Sequence, residues 1–380
     1  MTGANPRGIV IASRCSWTMH NFRLPLIRSL IDDGFDVKAV GAGGDGYDAK
    51  LRAAGVDFED VPVSRRGVAP IMDVLLTLRL VGLFRRARPK VFHAFTIKPA
   101  IYGTLAAAMA GVPVRIVTIT GLGHAFTTAS GTLRRLVEML YRSALKRASL
   151  VYFQNEDDRA LFLERGLVAE NKTRLIAGSG VDTARFAVAP LPCAIGGKPR
   201  FLMVARLLRE KGVSEYFAAA ERVRATHPDV EFVLLGGLDS RNPSAFSRSE
   251  IHGLTARGAV RWVDEVADVR PFLAACDVLV LPSYREGMPR SVLEAASVGR
   301  AAIVTDVPGC RAAVEAGVTG LLIPPADPEA LAVAMLRFVE DPGLAASMGT
   351  AARCRVVARF DEKCVIKETT SAYIEMTTKE

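Results

Sequence analysis

What most constrains the fold is a beat that runs the length of the chain. Short apolar runs end in polar or glycine-bearing turns, and each is followed by a stretch of helical spacing. Residues 8–13, 37–41, 91–95, 114–118 and 150–153 make one series of such runs. Residues 200–205, 230–235, 260–263, 278–281, 301–304 and 321–323 make a second. Strands that alternate with helices build parallel α/β sheets, so the pattern predicts two Rossmann-like domains. Between the series lies a Pro-, Gly- and Ala-rich stretch without clear period. It sets the expected boundaries: a first domain over 1–185, a linker over 186–198, a second domain over 199–358, and a C-terminal helix over 359–380 packing back towards the first domain. At 380 residues, half of them hydrophobic, the chain has material for two full cores.

Residues 1–185 hold 26 Lys/Arg against 16 Asp/Glu, while residues 186–380 hold 23 against 24. Within the first half, residues 51–150 carry 15 basic residues against 5 acidic ones. The basic face belongs to one domain, which is expected to meet an anionic membrane surface. The basic residues are not interleaved with aromatics and no nucleic-acid module appears, so no nucleic acid is expected. The segments 70–88 and 134–147 read as amphipathic helices with basic ends. In the first, Ile71, Val74, Leu75, Leu78, Val81 and Leu83 make the apolar face. Either both helices lie on a membrane or both simply cover a sheet.

The six cysteines lack C-x-x-C spacing, which argues against a zinc site or disulfide framework. No Asp-x-Asp motif is present, so no metal and no cofactor is expected. The N-terminus shows no signal-peptide pattern and no run is long enough to span a bilayer, which predicts a cytoplasmic protein, peripheral on the inner face of the membrane.

The richest motif runs from Pro282 to Glu294, after the apolar run Val278–Leu281. It reads as strand, turn and helix N-terminus, with Pro289 in the first helical turn and Gly299 just past the end. Backbone N–H groups of Gly287, Met288 and Arg290 there would suit a phosphate. Glu286 and Glu294 are about 12 Å apart at ~1.5 Å rise per residue. That is too far for a glycosidase acid/base pair and suits a ligand held at two ends. Arg206 and Lys211, at a strand-to-helix turn, suit a diphosphate. Gly236 and Gly237 follow another strand.

In the first half, Ser13, Arg14, Ser16, His20, Asn21 and Arg23 read as a polar loop after the first strand, where no G-x-G-x-x-G appears. The turn from Thr120 through Gly121 to His124 follows the strand at 114–118. His124 is a candidate general base or hydrogen-bond donor, or else a packed loop histidine.

Together these segments resemble the retaining GT-B glycosyltransferases of family four, also called glycosyltransferases group 1. The nearest likeness is to N-acetylhexosaminyltransferases that extend undecaprenyl-diphosphate-linked oligosaccharides, carried by residues 20–25, 121–123, 234–243 and 282–294. The resemblance implies two Rossmann-like domains facing a cleft, a UDP-sugar donor and a lipid-linked glycan acceptor. It implies that Arg206 and Lys211 take the donor diphosphate and that Glu286 takes the donor-sugar hydroxyls. Gly287, Met288 and Pro289 would present backbone, and Glu294 would bind the ribose. The resemblance further implies that the first domain binds the acceptor, through Ser13, Arg14, His20, Arg23, Thr120 and Gly121, and that the second binds the donor. Many family members carry a histidine directly before the glycine of the first-domain turn, and here that position is Thr120. Two rivals stay open: a UDP-sugar 2-epimerase on the same fold, and a non-enzymatic two-domain sugar-binding protein.

Overall fold

The computed structural model describes residues 5–63, 69–121, 131–192, 198–239 and 242–378. The chain divides into two compact units, residues 1–179 with 363–380, and residues 180–362.

The first unit holds β1 (Asn5–Cys15), β2 (Asp36–Ala42), β3 (Asp57–Asp60), β4 (Pro89–Phe95), β5 (Val114–Ile119), β6 (Leu150–Phe153) and β7 (Thr173–Leu175). They form one parallel sheet in the order β3-β2-β1-β4-β5-β6-β7. Successive residues of a strand point to opposite faces, and β1 shows the result: Ile9 and Ile11 enter one core, Val10 and Ala12 the other. Leu76, Leu80 and Phe84 of the helix Pro70–Ala87 join the core of Val10, as does Tyr141 of the helix Gly131–Lys146. Ile27 and Leu30 of the helix Ser16–Asp32 and Tyr373 of the helix Glu362–Thr378 join the core of Ile9.

Two expectations change here. The helix after β1 begins at Ser16, so His20, Asn21 and Arg23 lie on a helix and not in a loop. Its first turn is held by Asp45, which accepts hydrogen bonds from the Ser16 hydroxyl and, at 3.2 Å, from the Trp17 N–H, while Pro25 is tolerated inside it. The apolar face expected on Pro70–Ala87 is partly inverted. Leu76, Leu80, Val81, Leu83 and Phe84 are buried, whereas Ile71, Val74, Leu75 and Leu78 face outward, with Ile71 78% and Leu78 57% exposed. Two apolar stripes run along this helix, and the sheet takes only one.

The second unit holds β8 (Arg200–Val204), β9 (Glu231–Leu235), β10 (Arg261–Val263), β11 (Val278–Leu281), β12 (Ala301–Thr305) and β13 (Gly320–Ile323). The sheet is again parallel, in the order β10-β9-β8-β11-β12-β13. β11 and β12 are buried at every position, as continuous apolar strands sandwiched by helices should be. Arg300 is fully buried and donates to the carbonyls of Leu273, Ala274, Ala189 and Pro190, which ties the chain at 189–190 to this unit. No helix among the described residues is long and apolar enough to cross a membrane.

Candidate active site

In open parallel sheets, ligands bind beyond the carboxyl ends of the strands where strand order reverses. In the second unit that point lies between β8 and β11. The chain leaving β8 carries Arg206 and Lys211, and the chain leaving β11 carries Glu286. Glycine lets these segments approach. A Cβ on Gly236 would stand 1.8 Å from the Ala205 carbonyl, and one on Gly212 would stand 2.1 Å from that of Pro282. Gly212 also has φ +74°, a conformation that glycine adopts freely. The Tyr284 N–H donates to the Glu210 carbonyl at 2.9 Å, fastening one turn to the other.

The closeness has a chemical result. Lys211 Nζ donates to Glu286 Oε1 at 2.5 Å, with only 18% and 14% of the two side chains exposed. A pair so shielded is held in place, since removing either partner leaves a charge poorly solvated. Arg206 differs: its Nη1 lies 3.1 Å from Asp239 Oδ2, but the side chains are 52% and 35% exposed. Such a surface pair is worth about 0–1 kcal/mol, so a phosphate can recruit Arg206 at little cost.

The helix after β11 runs Arg290–Val298, and Gly299 closes it at φ +87°. Pro289 is its N-cap and not a first-turn residue, so Gly287 and Met288 lie in the approach segment. That segment is pressed against Gly309: a Cβ there would stand 2.4 Å from the Gly287 carbonyl and 2.6 Å from that of Glu286. Gly309 escaped the sequence reading, although the Pro308-Gly309 pair was an available signal, and Asp239 fell within the segment 234–243 without being singled out. Glu294 pairs with Arg290 at 2.9 Å. Burial raises the pKa of Glu294, and Arg290 pulls it partly back. Burial, then the Glu286 carboxylate, pushes the Cys310 thiol up to about 12. Gly236 and Gly237 are backbone fasteners: the Gly236 N–H donates to Val263, and the Gly237 carbonyl accepts from Leu207.

The residues picked in the first unit are less uniform. Arg14 is exposed at the carboxyl end of β1, whereas Ser13 is buried, its hydroxyl 2.8 Å from that of Thr18. Arg23 is buried with its guanidinium 3.8 Å over the Phe95 ring, and the structure places it in packing and not on an open loop. His20 packs edge-on against Tyr47, and its pKa is lowered, chiefly by burial. Thr120 and Gly121 follow β5, with Gly121 at φ +121°. His124 lies outside the described residues. Among the described residues, no three His, Cys, Asp or Glu side chains are grouped to hold a metal.

Two parallel α/β units, with a clustered cation and carboxylate at the switch point of the second, are the setting in which comparison with known proteins is informative. Residues 198–341 match the family described as glycosyl transferases group 1, and residues 19–178 match the glycosyl transferase 4-like domain. The chain belongs to the group 1 glycosyltransferases, which decides against the sugar-binding-protein and epimerase readings.

It is 28% identical over 374 residues to the N,N'-diacetylbacillosaminyl-diphospho-undecaprenol alpha-1,3-N-acetylgalactosaminyltransferase of Campylobacter jejuni, covering 95% of this chain and 96% of that one. It is 29% identical to the UDP-Gal:alpha-D-GlcNAc-diphosphoundecaprenol alpha-1,3-galactosyltransferase of Escherichia coli, covering 83% of each chain. A glycogen synthase of Mycobacterium tuberculosis is 30% identical over 79% of this chain and 72% of its own. Among solved structures, Anabaena HepE in complex with UDP superposes with a TM-score of 0.78 at 19% identity, over 97% of this chain and 100% of that one.

Proposed function

We propose that this glycosyltransferase moves a hexosamine, GalNAc or GlcNAc, from a UDP-sugar to a lipid-diphosphate-linked saccharide, with retention at the anomeric carbon and without a divalent metal. The observation that carries the reading is the shielded Lys211–Glu286 pair at the β8/β11 switch point, with Arg206 on the same segment leaving β8. Two cations there neutralise a diphosphate and the charge it gains as the glycosidic bond breaks, which is where preorganised donors lower a barrier most. Glu286 has two jobs in this account: it holds the Lys211 ammonium in position and accepts donor-sugar hydroxyls. Glu294, which burial shields and Arg290 holds at 2.9 Å, takes the ribose hydroxyls.

The acceptor hydroxyl attacks the face that UDP leaves, and the departing phosphate oxygen accepts its proton, so no protein nucleophile is required. The activities named for the C. jejuni and E. coli relatives support an undecaprenol-diphosphate acceptor, and their different sugars leave the donor to be measured. The first unit binds the acceptor and rests on the anionic inner leaflet of the cytoplasmic membrane. Its exposed Ile71, Val74, Leu75 and Leu78 and the excess of basic residues over 51–150 support that contact. The test is the anomeric configuration of the product, read from proton–proton coupling in its NMR spectrum. An α-linked product supports retention, and a β-linked one contradicts it.

A further inference from the structure

The strand order that locates Arg206 and Glu286 reverses in the first unit as well, between β1 and β4. Those strands pair in parallel up to Ala12 and Ala94; β1 runs on to Cys15 beside β2, while β4 ends at Phe95, so Thr96 is the first residue beyond β4 at this edge. The chain leaving β4 is unusual. Thr96 has φ +71°, a conformation costly for a β-branched residue and one that recurs at ligand sites. Its hydroxyl is buried without a hydrogen-bond partner among the described residues. Two residues later, Lys98 Nζ lies 2.6 Å from Asp73 Oδ1, both side chains well shielded. Asp73 also accepts from the Ala69 N–H at 3.1 Å and from Tyr102, whose pKa is raised to about 12 by burial and then by Asp73.

Asp73 holds one of the three N–H bonds of the ammonium, and no other side-chain partner of Lys98 occurs among the described residues. On either side of Asp73 stand Met72 and Val74 of the outward apolar stripe. A fixed cation thus sits at the carboxyl edge of the sheet, beside exposed apolar surface. That combination matches a diphosphate bearing a hydrocarbon chain.

Resting on the function proposed above, we infer that Lys98, with Thr96, binds the diphosphate of the lipid-linked acceptor, and that Asp73 is a positioning residue for Lys98. The probe is farnesyl diphosphate, titrated calorimetrically into the full chain with UDP saturating. Lys98→Met is expected to weaken binding by about tenfold or more, the scale of one charged hydrogen bond, and Lys98→Arg to restore most of it. Inorganic pyrophosphate, which lacks the chain, is expected to bind more weakly.

Should Lys98→Met fail to fold because Asp73 loses its partner, the double variant Asp73→Asn with Lys98→Met, which removes both charges, is titrated instead. Equal farnesyl diphosphate affinity in wild type and variant, or no binding by wild type, overturns the assignment. Equal affinity for pyrophosphate overturns its lipid part. UDP binding, measured separately, reports on the donor reading: its absence contradicts the proposed function while the farnesyl diphosphate titration still reads this site.

Discussion

Lys211 and Glu286 are 75 positions apart in the chain and 2.5 Å apart in the fold. What brings them together is the adjacency of β8 and β11 and the glycines that let the turns beyond those strands close on each other. Their separate worth is measurable. Lys211→Ala and Arg206→Ala should each lower kcat by roughly 10²–10³-fold, the loss expected from one preorganised donor to a charge formed in the transition state. Lys211→Ala should also lower the melting temperature, because Glu286 stays shielded and unpaired. Arg206→Ala should leave it within a degree or two. Steady-state kinetics beside thermal melts of the two variants check both halves, and a change in kcat below about threefold removes the residue concerned from the mechanism.

Glycine replacement should separate steric need from mere chain freedom. Gly236→Ala forces a Cβ to within 1.8 Å of the Ala205 carbonyl, so the backbone must shift, at a cost of about 1–3 kcal/mol or more. Gly253→Ala, inside the helix Arg248–Thr255 with open space around it, should stabilise by about 0.4–1 kcal/mol. Urea denaturation of both variants decides; a neutral Gly236→Ala would remove the close approach from the account.

His93 should make the protein acid-sensitive. It is fully buried, its Nδ1 lies 2.6 Å from the Tyr373 hydroxyl and its Nε2 lies 2.7 Å from Thr118 Oγ1, and burial, then Arg23, holds its pKa well below 6.5. The unfolded chain therefore binds the proton first as the pH falls. Stability contributed by neutral His93 is full above about pH 6.5 and is lost on going lower, by at most ~1.4 kcal/mol per pH unit. His93→Gln should flatten the dependence of the urea midpoint between pH 7.5 and 5.5 relative to wild type. His20, also lowered by burial, adds a slope common to both proteins. Identical slopes would show that His93 is not the titrating group.

Membrane contact should depend on the outward stripe of Pro70–Ala87. Replacing Leu75 and Leu78 by Ser should leave stability within about 0.5 kcal/mol, since both are exposed. It should lower the fraction floating with anionic liposomes by about tenfold if both side chains enter the lipid. Salt should weaken flotation of the wild type as well. Flotation that ignores both the substitutions and salt contradicts this contact.

Much of this was legible in the chain. Runs such as Val278–Leu281 are continuous, apolar and closed by turns, so their strands and the parallel sheets followed from spacing alone. Arg206, Lys211 and Glu286 stood out as candidates because they lie in the turns that follow such runs. The acceptor side was not. Pro25 reads as a helix breaker and hid the helix start at Ser16. In Pro70–Ala87, Ile71, Val74 and Leu78 keep helical spacing as well as Leu76, Leu80 and Leu83 do, and periodicity does not say which stripe meets the sheet. Thr96 and Lys98 belong to no motif, and a left-handed threonine leaves no trace in composition.

The most direct measurement is transfer of label from UDP-GlcNAc and UDP-GalNAc into butanol-extractable lipid, with purified protein, a bacterial lipid-linked acceptor extract and excess EDTA. The account predicts labelled lipid with one of the two donors, undiminished by EDTA and lost in Arg206→Ala. Labelled lipid that disappears with EDTA would contradict the metal-free mechanism, and a protein that neither labels lipid nor binds UDP would contradict the proposed function itself.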